Sequence, residues 1–206
     1  QEEQDYIAAP ITAEDLERAY KQVGVSTAPG LSGITYQQWI KAPPIAQGFT
    51  LLMLNEILRT GALPKAFRAG RICPIPKNIE LPVTPSNARP LTMLETGLKL
   101  LTTCISNRIQ DSLTDNPVLC PIQAAFLPDS NIRDLTRTVE TAQKVAREEG
   151  RELHMAFLDL KQAFERVESW AAEAALKRLG IPQNVCKLMA ELDEKSTQSC
   201  ITTVDG

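Results

Sequence analysis

Apolar positions recur every three to four residues along much of the chain, and Gly and Pro separate the stretches. Thr12 precedes Glu14 and Asp15, and then Leu16, Ala19, Tyr20 and Val23 fall at helical spacing. That pattern predicts a helix capped at Thr12 and ended by Gly24. Residues 26–33, STAPGLSG, read as a turn-rich loop, and Ile34 to Ile40 as a short helix broken at Pro43-Pro44. Residues 45–60 predict an apolar helix stopped by Gly61, with Leu51, Leu52, Leu54, Ile57 and Leu58 as core. From about Leu94 to Leu113 a long helix carries Leu98, Leu101, Ile105 and Ile109 on one face. Asn131 or Asp129 caps a helix running to Gly150. Two more helices follow, from about Glu168 to Gly180 and over 183–195.

Extended elements are fewer. Residues 70–75 read as a strand, and 76–88 as a polar, Pro-rich loop too short to link domains. Residues 152–159, ELHMAFLD, read as a buried strand ending in Asp159, and the β-branched run Cys200–Val204 as another. Residues 1–10 are acidic and read as frayed. The fold class expected is α+β, helix-rich with a small antiparallel sheet, without repeats or low-complexity segments.

Composition changes the picture in three places. With 43% hydrophobic and 23% charged residues in 206, a packed core is expected and global disorder is excluded. The net charge of −3 gives no general attraction to nucleic acid, but the charge is uneven. Residues 1–20 are net −5, residues 21–110 net +7 and residues 111–206 net −5, so one contiguous segment is basic between acidic flanks. Five widely spaced Cys without a CxxC suit reduced thiols in a cytosolic or nuclear protein. A single His, His154, argues against a His-based metal site or base. The first residues lack an initiator Met and the pattern of a signal peptide, so the chain reads as a piece of something longer. No apolar run reaches the ~18 residues of a membrane span.

Two places could carry chemistry. Asp159 closes an apolar strand, and a carboxylate there is costly unless paired or bound to a cation such as Mg²⁺. The plainer reading makes Asp159 the cap of a following turn. Phe164, five residues on, could wall a pocket or simply be core. The second place is basic: Arg68, Arg71 and Lys77 surround the strand 70–75, and Arg89 closes the loop. Lys as a mobile point charge and Arg as a fork suit a polyphosphate. Solvated bases on an ordinary surface are the alternative.

These residues also carry a resemblance. A-P-G-L-S-G-I at 28–34, G-A-L-P-K-A-F-R from Gly61, R-I-C-P-I-P-K ending at Lys77 and R-P-L-T from Arg89 follow in order. Then come the helix with Asn107-Arg108, Q-A-A-F from Gln123, F-L-D-L-K-Q-A-F-E from Phe157, and L-K-R-L-G-I-P. Together, over residues 12–206, this order and spacing resembles reverse transcriptases of the non-LTR retrotransposon and group II intron type, nearer the non-LTR side. The resemblance implies the fingers and partial palm of a right-hand polymerase. Residues 1–11 would be a flexible acidic N-terminus, 12–150 a fingers-like subdomain and 151–206 the start of the palm. Template-primed nucleotidyl transfer with two Mg²⁺ ions is implied, with RNA template, DNA primer and deoxynucleoside triphosphates as partners. By the same resemblance, Asp159 is the first metal carboxylate, with the Leu160 carbonyl beside it. Lys77 and Arg89 hold the triphosphate, and Phe164 lies under the sugar and excludes a 2′-hydroxyl. Arg71, Gln123 and Phe126 lie along the template.

The chain departs from the family pattern at Ala125, where Gly is usual, and at Glu165, where Asp is common. The aromatic-x-Asp-Asp hairpin that supplies the other carboxylates does not occur in the 206 residues. One carboxylate cannot hold two mutually repelling Mg²⁺ ions, so this chain by itself is expected not to polymerise. A half-built palm edge at 198–204 is expected to favour self-association. Two other functions stand beside the polymerase. One is a non-catalytic reverse-transcriptase-like module that binds RNA or protein, which the net acidity favours. The other is an RNA-templated RNA polymerase or telomerase-like relative, against which Phe164 argues by sterics.

Overall fold

The computed structural model describes residues 2–78, 84, 87–115, 119–120, 123–125, 127, 131–160, 166–195 and 199–201. The chain divides into two compact units, residues 1–109 with 169–206, and residues 110–168. The observed class is α+β and helix-rich, as the sequence predicts.

The first unit holds most of the order. Its helices are α1 (Glu2–Ala8), α2 (Ala13–Gln22), α3 (Tyr36–Ile40), α4 (Pro44–Thr60), most of α5 (Thr96–Asp115), α7 (Ser169–Arg178) and α8 (Gln183–Lys195). Local chemistry sets most ends. The Thr12 hydroxyl accepts from the Asp15 N–H, and the Asp15 carboxylate accepts from the Thr12 N–H, closing a capping box. Thr35 and Gln38 repeat it on α3. Pro44 opens α4, where its missing N–H costs nothing. Gly61 ends it at φ 62°, where a Cβ would lie 2.8 Å from the Asn184 carbonyl.

One core fills this unit. Leu54, Ile57 and Leu58 of α4 pack with Leu98, Leu101, Cys104 and Ile105 of α5, with Leu16 and Ala19 of α2, and with Val185 and Leu188 of α8. Leu52, expected in the core, faces solvent at 67% exposure, because the buried stripe of α4 follows Thr50, Leu54, Ile57 and Leu58 instead. Residues 2–8, expected to fray, form α1, and Ile7 and Ile11 are buried. The Asn55 amide fixes that segment by accepting from the Ile11 N–H and donating to the Ile11 carbonyl.

Among the described residues the sheet has three strands in the order β2-β1-β3: β1 (Gly70–Pro76), β2 (Ala88–Met93) and β3 (Ser199–Ile201). β1 and β2 are antiparallel, with Arg71 opposite Met93 and Ile75 opposite Arg89. β3 runs parallel to β1 along Gly70–Ile72. β2 lies in a stretch from which no strand is predicted. Pro90 faces Pro74 there, and both have no N–H to donate. The Lys77 N–H donates to the Asn87 carbonyl at 2.7 Å, which makes the odd positions of β1 the hydrogen-bonded pairs. Pro74, Pro76 and Pro90 therefore occupy the non-bonded pairs, where the missing donor breaks no β1–β2 bond.

In the second unit, α6 (Ile132–Glu148) is capped by Asn131, and Gly150 follows it at φ 64°. Residues 151–160 form no regular element and are exposed, including Phe157 at 81% and Leu158 at 96%. The expected buried strand ending in Asp159 is therefore not present. A strand needs hydrogen-bonding neighbours, and among the described residues none pairs with this stretch.

Candidate nucleotide and nucleic-acid interface

Side chains alternate faces along a strand, and directly opposed residues share a face. Arg71, Cys73, Ile75 and Lys77 of β1 and its end therefore share one face with Met93, Leu91 and Arg89 of β2. Arg71, Lys77 and Arg89 are exposed there, with Ile75 and Leu91 between them at about half exposure. Arg89 sits opposite Ile75 and diagonal to Lys77, which brings two cations within reach of one polyanion. Among the described residues no acid pairs with Arg71 or Arg89. Three of the bases predicted from sequence thus converge on an open, partly apolar, cationic surface, suited to phosphates and the sugar or base edges next to them.

Other bases of the basic segment are used inside the fold. Arg108, one of the bases of the 21–110 segment, is buried. It donates to the Asp15 carboxylate at 2.6 Å, to the Ile7 and Pro10 carbonyls, and to the Ala9 carbonyl, and lies 5.5 Å from the Tyr6 ring centroid. Burial pushes the Asp15 carboxyl up, but Arg108 and the Thr12 bonds outweigh it and leave it below the usual carboxylate range. Burial likewise raises the neighbouring Cys104 thiol to about 11. Arg68 donates to Glu191 at 2.9 Å and to the Leu63 carbonyl. Arg59 pairs with Glu56 on the surface. Lys99 is half-buried beside Glu95, and burial pulls its ammonium down.

The corner behind β2 is anchored by groups that no local pattern reveals. The buried Glu95 carboxylate accepts from the Ser32 N–H at 2.9 Å and the Ser32 hydroxyl at 2.5 Å. Gly30 leaves room for it, since a Cβ there would come within 2.7 Å of the carboxylate. The Thr96 hydroxyl donates to the Ile34 carbonyl and accepts from the Trp39 indole N–H. Together they fix the 28–34 loop against the end of β2. Buried acid and hydroxyl at a strand–helix junction are the signal that could have pointed to this.

The remaining candidates belong to the second unit. Asp159 and Leu160 lie in the exposed 151–160 stretch, so the desolvation argument for Asp159 does not hold in this chain. Gln123 is exposed in a tight turn, its amide donating to the Ala125 carbonyl at 3.0 Å. Phe126 and Phe164 fall outside the described residues. Among the described residues no three His, Cys, Asp or Glu side chains group to hold a metal ion. Asp159 therefore belongs to no such cluster among the described residues. Cys104 and Cys186 are buried as expected of structural thiols, whereas Cys120 is exposed. No helix among the described residues is long and apolar enough to cross a membrane.

A basic sheet face beside a helical core is compatible with several phosphate-binding classes, and comparison with known proteins selects one. Residues 75–204 match the family described as reverse transcriptase (RNA-dependent DNA polymerase). The chain belongs to that family, on the non-LTR retrotransposon side that its motifs indicate. It is 27% identical over 173 residues to the retrovirus-related Pol polyprotein from type-2 retrotransposable element R2DM of Drosophila melanogaster, covering 84% of this chain and 15% of that protein. It is 27% identical over 198 residues to the RNA-directed DNA polymerase from mobile element jockey of the same species, covering 95% and 21%. The jockey polymerase of Drosophila funebris is 30% identical over 161 residues, covering 78% and 18%. The chain spans less than a quarter of the length of each of these relatives.

Proposed function

We propose that this chain forms the fingers and the start of the palm of an RNA-directed DNA polymerase of a non-LTR retroelement, working within a longer polypeptide. The observation that carries the reading is the convergence of Arg71, Lys77 and Arg89 on one open face of β1–β2 in a chain of this family. Lys77 and Arg89 take the triphosphate of the incoming deoxynucleotide. Arg71, Gln123 and Phe126 contact the template, and Phe164 excludes the 2′-hydroxyl. Asp159, with the Leu160 carbonyl, supplies part of a Mg²⁺ site, and further carboxylates come from outside the described residues. RNA template and DNA primer are the macromolecular partners. The net charge of −3 favours a second reading, a non-catalytic module that binds RNA or protein.

Primer extension on an RNA template by the longer polypeptide separates the two. Asp159→Asn is expected to remove about 4 kcal/mol of transition-state stabilisation, roughly a thousandfold in kcat. Lys77→Ala and Arg89→Ala are expected to act mainly on KM for deoxynucleotides. Undiminished extension by Asp159→Asn removes Asp159 from the metal site. A longer polypeptide that binds hybrid duplex without extending any primer leaves the binding module as the better reading.

A further inference from the structure

The outer face of α4 has a pattern that no contact among the described residues uses. Ile45, Phe49 and Leu52, at i, i+4 and i+7, are 73%, 66% and 67% exposed. Gly48 lies on the same face, and a Cβ built on it meets nothing within 4 Å. A glycine inside a helix is unfavourable, and here no intrachain contact requires it. Beside the stripe runs a groove of about 490 Å³ lined by Ile34, Trp39, Ala42, Ala46, Phe49 and Met53. Its polar groups are largely engaged. The Trp39 indole donates to Thr96, the Thr50 hydroxyl to the Ala46 carbonyl, and the Gln38 side-chain oxygen accepts from the Thr35 N–H. Residues 42–55 contain no charged side chain. The surface therefore favours an apolar occupant, and Gly48 permits a backbone to come close.

We propose that this face receives an amphipathic α-helix from another part of the same longer polypeptide, outside residues 1–206. The shape is that of helix-in-groove recognition, with aliphatic side chains of the incoming helix entering between Trp39 and Phe49. The size decides the source. The stripe is one helix wide and about 10 Å long at 1.5 Å per residue. A second folded copy needs roughly 800 Å² on each partner, which three side chains and a narrow groove do not provide. So small an apolar patch also does little against the entropy of bringing two molecules together. A tethered helix avoids most of that cost through its effective concentration. The relatives supply the required length, since this chain covers only 15% of R2DM and 21% of the Drosophila melanogaster jockey polymerase.

The test places a thiol on the face with Leu52→Cys, and independently with Ile45→Cys, in both the 206-residue chain and its complete reading frame. Maleimide modification at the substituted position is followed by peptide mass mapping. The expected result is rapid labelling in the 206-residue chain and labelling slowed by about tenfold or more in the longer polypeptide, as for a locally protected site. Adding Gly48→Leu to the longer polypeptide is expected to restore fast labelling by blocking close approach. Equal rates in both proteins overturn the proposal. So does protection in the 206-residue chain: if it rises with concentration the occupant is a second copy, and if it does not the occupant is a segment of this chain.

Discussion

Helices α5 and α6 have similar sequence patterns and different surroundings. In α5, Leu98, Leu101 and Ile105 repeat at helical spacing and are buried. In α6, Ile132, Leu135 and Val139 repeat in the same way, and none of them is buried. The same contrast separates the two units: residues 1–109 with 169–206 contain all the buried apolar side chains found among the described residues, and residues 110–168 contain none. Periodicity therefore states which face of a helix requires cover. Whether cover is present depends on partners that the period does not encode. Residues 151–160 give the same lesson for strands, since Leu153, Met155 and Phe157 alternate as a strand should and have no neighbouring strand among the described residues.

The comparison is most easily broken by stability. Arg108→Ala removes a buried ion pair, leaving Asp15 only its bonds from Thr12 and taking one donor from the carbonyls of Ile7, Ala9 and Pro10. A loss of about 3–5 kcal/mol is expected from urea unfolding. Leu135→Ala in α6 is expected to change stability by no more than ~0.5 kcal/mol, as for an exposed site. Comparable losses in the two variants would mean that the second unit is packed like the first.

A salt titration sharpens it further. Counting all bases of the 59–108 segment against its acids gives net +6. The structure engages Arg59, Arg68 and Arg108 in ion pairs, while Arg71, Lys77 and Arg89 are exposed on one face of the sheet. For hybrid duplex binding, the slope of log K against log salt is expected near −3, falling by about 0.9 with each Ala at those three positions. Arg68→Ala is expected to leave the slope unchanged. A slope near −6 would restore the whole segment as the interface.

The smallest effect is the acid limb. The Asp15 carboxyl is held below the usual range in the folded chain, so its contribution is present above the unfolded value of about 3.9 and is lost as pH falls through the lower folded value. Asp15→Asn is expected to flatten stability against pH below about 4. An unchanged acid limb would mean that Arg108 is held by the carbonyls alone.

Much of the fold was legible because its signals are local. Thr12 with Asp15, Pro44 and Gly61 mark helix ends within a few residues of the atoms they satisfy. The cations of the candidate site were legible as residues, but their common face depended on β2, which Pro90 and the absence of polar–apolar alternation concealed. Ser32 with Glu95, and Asp15 with Arg108, were not legible, because each pair is joined across 63 and 93 residues respectively. Asp159 was read as buried and is exposed, since burial depends on strands that, among the described residues, do not flank it.

The prolines of the β1–β2 ladder bear on how such a sequence can vary by insertion and deletion. Residues 78–86 connect the paired ends of β1 and β2 in sequence, so changing the length of that connection leaves every existing pair as it is. One residue gained within β1 is different. It would shift the pairing by one step, put Pro74 or Pro76 where a donor is required, and turn Lys77 to the opposite face from Arg89. Length variation among descendants of this sequence should therefore gather in the connection and be absent from the strands.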